Sequence, residues 1–396
     1  MKDWLTSLTL AFILLPLANA VADGPATGPD EARLGQARFN LAVFSPNGEQ
    51  VLTNEQTDDP HGGEAAALWD VKTGRLVRRF IGHKGIVDAG AFTPDGKQIV
   101  TGGGSARGDL PGPANAELRL WDLASGREIR QYPGHNRPVI SVYFSPDGNR
   151  ILSVGFLEVA RLWDVQSGRQ LFVWPKEGGE GVHNGELSKD GRLALTQDSG
   201  GFTIWNGSSG KEVVSVDLPR VYVSAAHFSP DAKLVATADF NNSVRTWGST
   251  TGKQVQLFEG HTSYVFQSRF SADGKWLATA ANDKTARIWD VATGKEIRSF
   301  SHAGPCVRDV RFNADSTRLV TAWLCEQAGL LRENYLAGMS LWDAQSGKEL
   351  RRISTRNDQF TPGRMVFTPD GKALLVCLEK TELIDCETGK TIREYK

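Results

Sequence analysis

The chain has 396 residues, with 45 basic against 46 acidic side chains and a formal net charge of −1. So even a balance supplies no general pull toward nucleic acid or an anionic membrane. Length alone would suggest two or three domains.

In chain order, residues 1–20 read as a cleaved signal peptide. Lys2 opens it, an apolar stretch runs from Leu8 to Leu17, and Ala18-Asn19-Ala20 has the small-residue form of a cleavage site. A membrane span needs roughly 20 apolar residues, and this run is shorter and is interrupted by Pro16, so no stable span is expected after signal removal. Export, periplasmic or secreted, is the expected localisation. Residues 21–37 are small and polar with Pro and Gly among them, the composition of a linker.

From residue 38 to 396 one pattern returns eight times. Each copy first carries a turn such as Phe92-Thr93-Pro94-Asp95-Gly96 or Phe144-Ser145-Pro146-Asp147-Gly148. Proline presets φ for such a turn, Asp bonds its own backbone, and Gly takes the left-handed conformation that the returning strand demands. A second turn follows, as in Trp69-Asp70 with Gly74, Trp121-Asp122 with Gly126, and Trp289-Asp290 with Gly294, and in weaker form Ile384-Asp385 with Gly389. Successive Trp or Ile positions lie 52, 42, 42, 42, 42, 53 and 42 residues apart. Two turns per copy leave four short antiparallel strands. One unit cannot bury its own apolar face, so the units must stack into a single body.

Together with Gly82-His83, Gly134-His135, Gly260-His261 and the weaker Ser301-His302, this fixed order of motifs resembles the WD-repeat β-propeller family over about residues 38–396. The resemblance implies an all-β, closed propeller of eight four-stranded antiparallel blades. Seven blades plus a degenerate terminal unit is the alternative. No apolar run precedes Arg38 to lend the last blade a strand, so closure is expected to rest on face packing of the first and last blades. The family also implies a buried hydrogen-bonded set of His, Ser or Thr, Asp and Trp within a blade. His261, Thr279, Asp283 and Trp289 match it in full, whereas the third unit pairs His135, Ser153 and Trp163 with Leu157 where Asp belongs. Incomplete sets leave buried polar groups less well held, so the sixth blade is expected to be the firmest. Repeat-locked histidines read as structural, and no metal or catalytic site is expected from them.

Three units are longer than the rest. From the Phe of the first turn to the Trp they span 25 (Phe44 to Trp69), 29 (Phe92 to Trp121) and 30 residues (Phe312 to Trp342), against 17 to 19 elsewhere. The excess falls between the second and third strands, a connection that the resemblance places on the narrow top face. Long loops on a rigid scaffold are where binding concentrates. In the third of these loops, Trp323, Leu330, Leu331 and Tyr335 form either a local cap or an apolar patch for a partner. Arg137 and Tyr264, close after their Gly-His pairs, are further contact candidates. Neither a Gly-x-Ser-x-Gly elbow nor a nucleophile-base-orienter constellation is present. The expected function is therefore a non-enzymatic, exported scaffold that binds a protein or peptide through the top-face loops of blades 1, 2 and 7, with no cofactor and no nucleic acid. The alternative is a propeller enzyme or carbohydrate-binding protein with a central-channel site, where Asp88, Glu186, Arg308 and Asp309 lie near the inner strands. Cys306 and Cys325 face each other across a hairpin and form a candidate disulfide. Cys377 and Cys386 read as buried thiols.

Overall fold

The computed structural model describes residues 41–56, 64–104, 116–175, 181–302, 304, 306–325, 336–355, 365–377 and 381–395. The expected signal peptide and linker lie outside them. All described residues belong to one compact unit, 33–396.

Eight four-stranded sheets follow one another along the chain, and within each the strands pair in sequence order. They occupy residues 42–81, 86–131, 139–174, 184–217, 223–258, 265–301, 306–355 and 365–395. Blade 6 shows the construction: Val265–Phe270 is innermost, then Trp276–Ala281, Thr285–Asp290 and Glu296–Ser301. The first turn forms by side-chain chemistry, with the Ser271 hydroxyl donating to Asp273 at 2.7 Å while Gly274 sits at φ +73°. At the second turn the Asp290 carboxylate accepts from both the backbone N–H and the hydroxyl of Thr293 at 2.7 Å. Between these turns the register slips by one residue at Ile288/Trp289, and the same bulge recurs at the tryptophan of every other blade that has one. A bulge re-aims the side chain at that point. It accompanies seven indole N–H groups that donate to a Thr or Ser hydroxyl on the second strand, at 2.7 to 2.9 Å.

The apolar core lies between blades rather than within them. One cluster, for example, joins Ala278, Ile288 and Phe300 of blade 6 to Val307, Leu319 and Trp342 of blade 7. Blades 7 and 8 share another through Val320, Leu341, Leu374 and Ile384. Each blade therefore needs its neighbour to bury its face.

Eight blades close the ring, and the seven-blade alternative does not apply. Blades 1 and 8 each supply all four of their own strands. Closure reuses the chemistry of an internal joint: the Tyr395 hydroxyl donates to the Val71 carbonyl of blade 1 at 2.8 Å, as the Tyr132 hydroxyl of blade 2 does to Val165 of blade 3 at 3.2 Å. The turn motif has a second role there. Its glycine leaves room for the proline of the preceding blade, and a Cβ on Gly48 would lie 3.4 Å from Pro369, as one on Gly148 would from Pro94.

Candidate functional site

The buried histidine sets define the rigid frame. In blade 6, His261 contacts Asp283 and Thr279, both at 2.7 Å, and the Trp289 indole donates to Thr279 at 2.9 Å. The incomplete set expected in blade 3 is instead complete, because Glu158, one residue past Leu157, reaches His135 at 2.8 Å and accepts from the Asn136 N–H at 2.9 Å. A longer side chain compensates for a one-residue shift. Blade 2 also uses a glutamate, Glu117, which follows the long connection and lies 3.0 Å from His83. Burial by itself raises the Glu117 pKa, but hydrogen bonds from His83 and Arg119 outweigh it and hold the carboxyl down to about 2. Three blades thus carry the four-member set that the sequence matched in full only in the sixth. Among the described residues of blade 7 no acid meets the histidine: His302 contacts Thr321 at 2.7 Å and the Phe300 carbonyl at 3.1 Å, and burial pushes its pKa down to about 4.

On the top face, the second and third strands of blades 1, 2 and 7 run seven or eight residues, against five or six in the other blades. Their ladders continue to Gln56 opposite Glu64, Gly104 opposite Ala116, and Cys325 opposite Leu336. Blades 7, 8, 1 and 2 are consecutive around the closed ring, so these hairpins rise on one side. The loop tips, with Leu330, Leu331 and Tyr335, lie outside the described residues. Trp323 is only 5% exposed and packs on Gly338 of the adjacent strand, which makes it a buried residue of the blade 7 sheet rather than surface. Register sets Cys306, a buried residue, opposite Leu324, one position from Cys325, whose side chain is not among those described. Cys386 is buried, and burial pushes its thiol up to about 12. The side chain of Cys377 also falls outside the described ones.

Arg137 and Tyr264 are exposed, Tyr264 at 46%. Tyr264 does not stand alone. Phe240 stacks on it at 5.1 Å between ring centroids, Tyr222 packs on Phe240 at 4.8 Å, and Phe266 meets Phe240 edge-on at 6.0 Å. His183 extends the row through a 3.1 Å hydrogen bond with Tyr222, and the Arg308 guanidinium lies 4.0 Å over Phe266. This row crosses blades 4 to 7 and so ends on the first of the long-hairpin blades. Tyr222 occupies the same repeat position as Tyr264, a signal that aligning the units would have given.

The candidate channel residues separate. Arg308 joins the aromatic row, whereas Glu186 and Asp309 belong to a polar cluster on the inner strands. Glu186 reaches His227 at 2.9 Å and also accepts from the Phe228 N–H. Asp309 accepts from Arg311 Nε at 2.8 Å. Asp88 lines the channel cavity, of about 520 Å³, from blade 2. Among the described residues no three His, Cys, Asp or Glu side chains converge in a metal-binding arrangement, and no helix is long and apolar enough to cross a membrane.

The family model described as WD domain, G-beta repeat matches residues 74–122, 126–164, 210–248 and 252–290. An uncharacterized WD repeat-containing protein of Synechocystis sp. is 31% identical over 175 residues, 44% of this chain and 48% of that protein. WD repeat and SOCS box-containing protein 1 of Homo sapiens is 37% identical over 89 residues, 22% of this chain and 19% of its own. The guanine nucleotide-binding protein subunit beta of Arabidopsis thaliana is 35% identical over 96 residues, 23% and 22% respectively. The chain thus spans less than half the length of these relatives. Among solved structures, the computationally designed Ika8 protein superposes with a TM-score of 0.66 at 20% identity, over 93% of this chain and 99% of that one, a likeness of fold.

Proposed function

Because the chain belongs to the WD-repeat β-propeller family, we propose that it is an exported, non-enzymatic scaffold that holds a protein or peptide on its top face. Such propellers are typically protein-interaction scaffolds. The observation that carries the reading is the set of three lengthened hairpins within one run of four consecutive blades, raised above a frame joined by histidine sets and interblade cores. Exposed Arg137 and Tyr264 stand at the inner strands of blades 3 and 6, which flank the arc that carries these hairpins. Aromatic and Arg side chains dominate the energetics of protein contacts, so a partner gripped between hairpins and aromatic row would draw most of its affinity from these.

The test is capture by the mature protein from the exported fraction of its own host. Shortening the loops at 105–115 and 326–335, with Tyr264→Ala and Arg137→Ala as separate variants, should abolish or weaken capture while the circular dichroism spectrum and melting profile stay native. Unchanged capture by the loop-shortened variant would remove the top-face reading. The amino-terminal sequence of the mature chain tests export, with Val21 expected as its first residue.

A further inference from the structure

The residue just before the end of each innermost strand occupies one layer of the central channel, because in every blade it pairs with the equivalent residue of the second strand: Val43 with Leu52, for instance, and Arg269 with Ala278. Around the ring this layer is divided by chemistry. Blades 3 to 7 contribute Tyr143, Glu186, His227, Arg269 and Arg311 in succession, whereas blades 8, 1 and 2 contribute Val366, Val43 and Ala91. The motif-bearing positions repeat, but this one does not, so the turn chemistry of the repeat does not dictate it.

Within the polar arc most charges are satisfied locally. Glu186 is taken by His227, and Asp309 by Arg311 Nε. Arg269 is different: its guanidinium touches the His227 ring, and among the described residues no carboxylate lies within ion-pair distance of it. Burial disfavours its charge, and the Asp309 and Glu186 carboxylates, which support that charge from beyond ion-pair distance, are opposed by the nearby Arg311 cation. Arg269 and Arg311 line the same cavity of about 520 Å³, and on the side of blades 1 to 3 Leu41, Val43, Ala89 and Ile140 form an apolar wall with Asp88 and Ser141 beside it. A planar guanidinium with unused N–H donors matches a carboxylate in a bidentate fork, and an apolar wall matches a hydrocarbon body.

We infer that the central channel is a binding site for a small amphipathic organic carboxylate, its anionic end on Arg269 and Arg311 and its apolar end against the channel wall of blades 1 to 3. The site is independent of the top-face partner surface, and loss of one leaves the other testable.

The experiment is isothermal titration calorimetry of the mature protein with octanoate, 1-octanol and acetate as probes. Octanoate should bind saturably at one site, with octanol and acetate each at least about tenfold weaker, since each lacks one half of the match. Arg269→Gln, which keeps two donors but no charge, should weaken octanoate by about tenfold or more and leave octanol unchanged. Absence of saturable octanoate binding, or octanol binding as tightly as octanoate, would overturn the assignment. Equal octanoate affinity in a natively folded Arg269→Gln protein would overturn it as well. The three-probe comparison uses the unaltered chain, so it decides the matter even where the variant fails to fold.

Discussion

Replacing Thr279 by Val tests the rigid frame most directly. The exchange keeps the shape of a fully buried side chain and deletes one hydroxyl, which bonds His261 Nε2 at 2.7 Å and accepts from the Trp289 indole at 2.9 Å. Two buried polar atoms then lose their partner together. An unsatisfied buried group costs about 1–3 kcal/mol, so the loss should be on the order of 3 kcal/mol. Blade 4 supplies the control. Its Thr196 also accepts from a tryptophan, Trp205 at 2.8 Å, but the Trp205 ring is only partly buried, so Thr196→Val should cost about 1 kcal/mol. Hydrogen exchange read blade by blade is the suitable assay, because a stack of semi-independent units need not unfold in one step. For Thr279→Val, amide protection in Trp276–Ala281 and Thr285–Asp290 should fall by roughly two orders of magnitude, with little change in blades 1 and 2. Equal losses in the two variants, or a loss below about 0.5 kcal/mol in blade 6, would refute the claim that these networks hold the blades.

Acid should weaken the blades in a set order. His302 is held down to about 4 from 6.5, so the unfolded chain takes up its proton first; stability from this group is complete above about pH 6.5 and is lost as pH falls toward 4. Glu117, held at about 2 from 4.5, contributes stability that is present above about pH 4.5 and is lost as pH falls toward 2, so exchange should rise in blade 7 before blade 2. At the closure, Tyr395→Phe should cost about 1 kcal/mol and Tyr395→Ala about 3–5 kcal/mol, read by denaturant titration; a harmless alanine would mean that the blade 8 to blade 1 joint bears little of the ring's stability. Intact mass with and without reductant tests the proposed Cys306–Cys325 disulfide. A gain of two hydrogens confined to the peptides carrying both residues is expected, together with about 3 kcal/mol lost on reduction, and no mass change removes the pairing.

The period of the motifs, their turn chemistry and the count of eight were legible in the amino-acid sequence, because each rests on local requirements: a left-handed φ at Gly274, an Asp that caps its own turn, a Trp at a constant offset. The His261 set was legible through the family resemblance, which its four members match in full. Glu117 and Glu158 were not, since a carboxylate one residue away, or beyond an insertion, joins the network only once the strand register has brought it to the histidine. Trp323 could read as cap or as contact until packing buried it. Closure of the ring, the aromatic row from Tyr222 to Phe266 and the divided channel layer depend on residues from different blades meeting. Repeat spacing fixes where each stands in its own blade, but only the circular stacking of all eight decides which of them become neighbours.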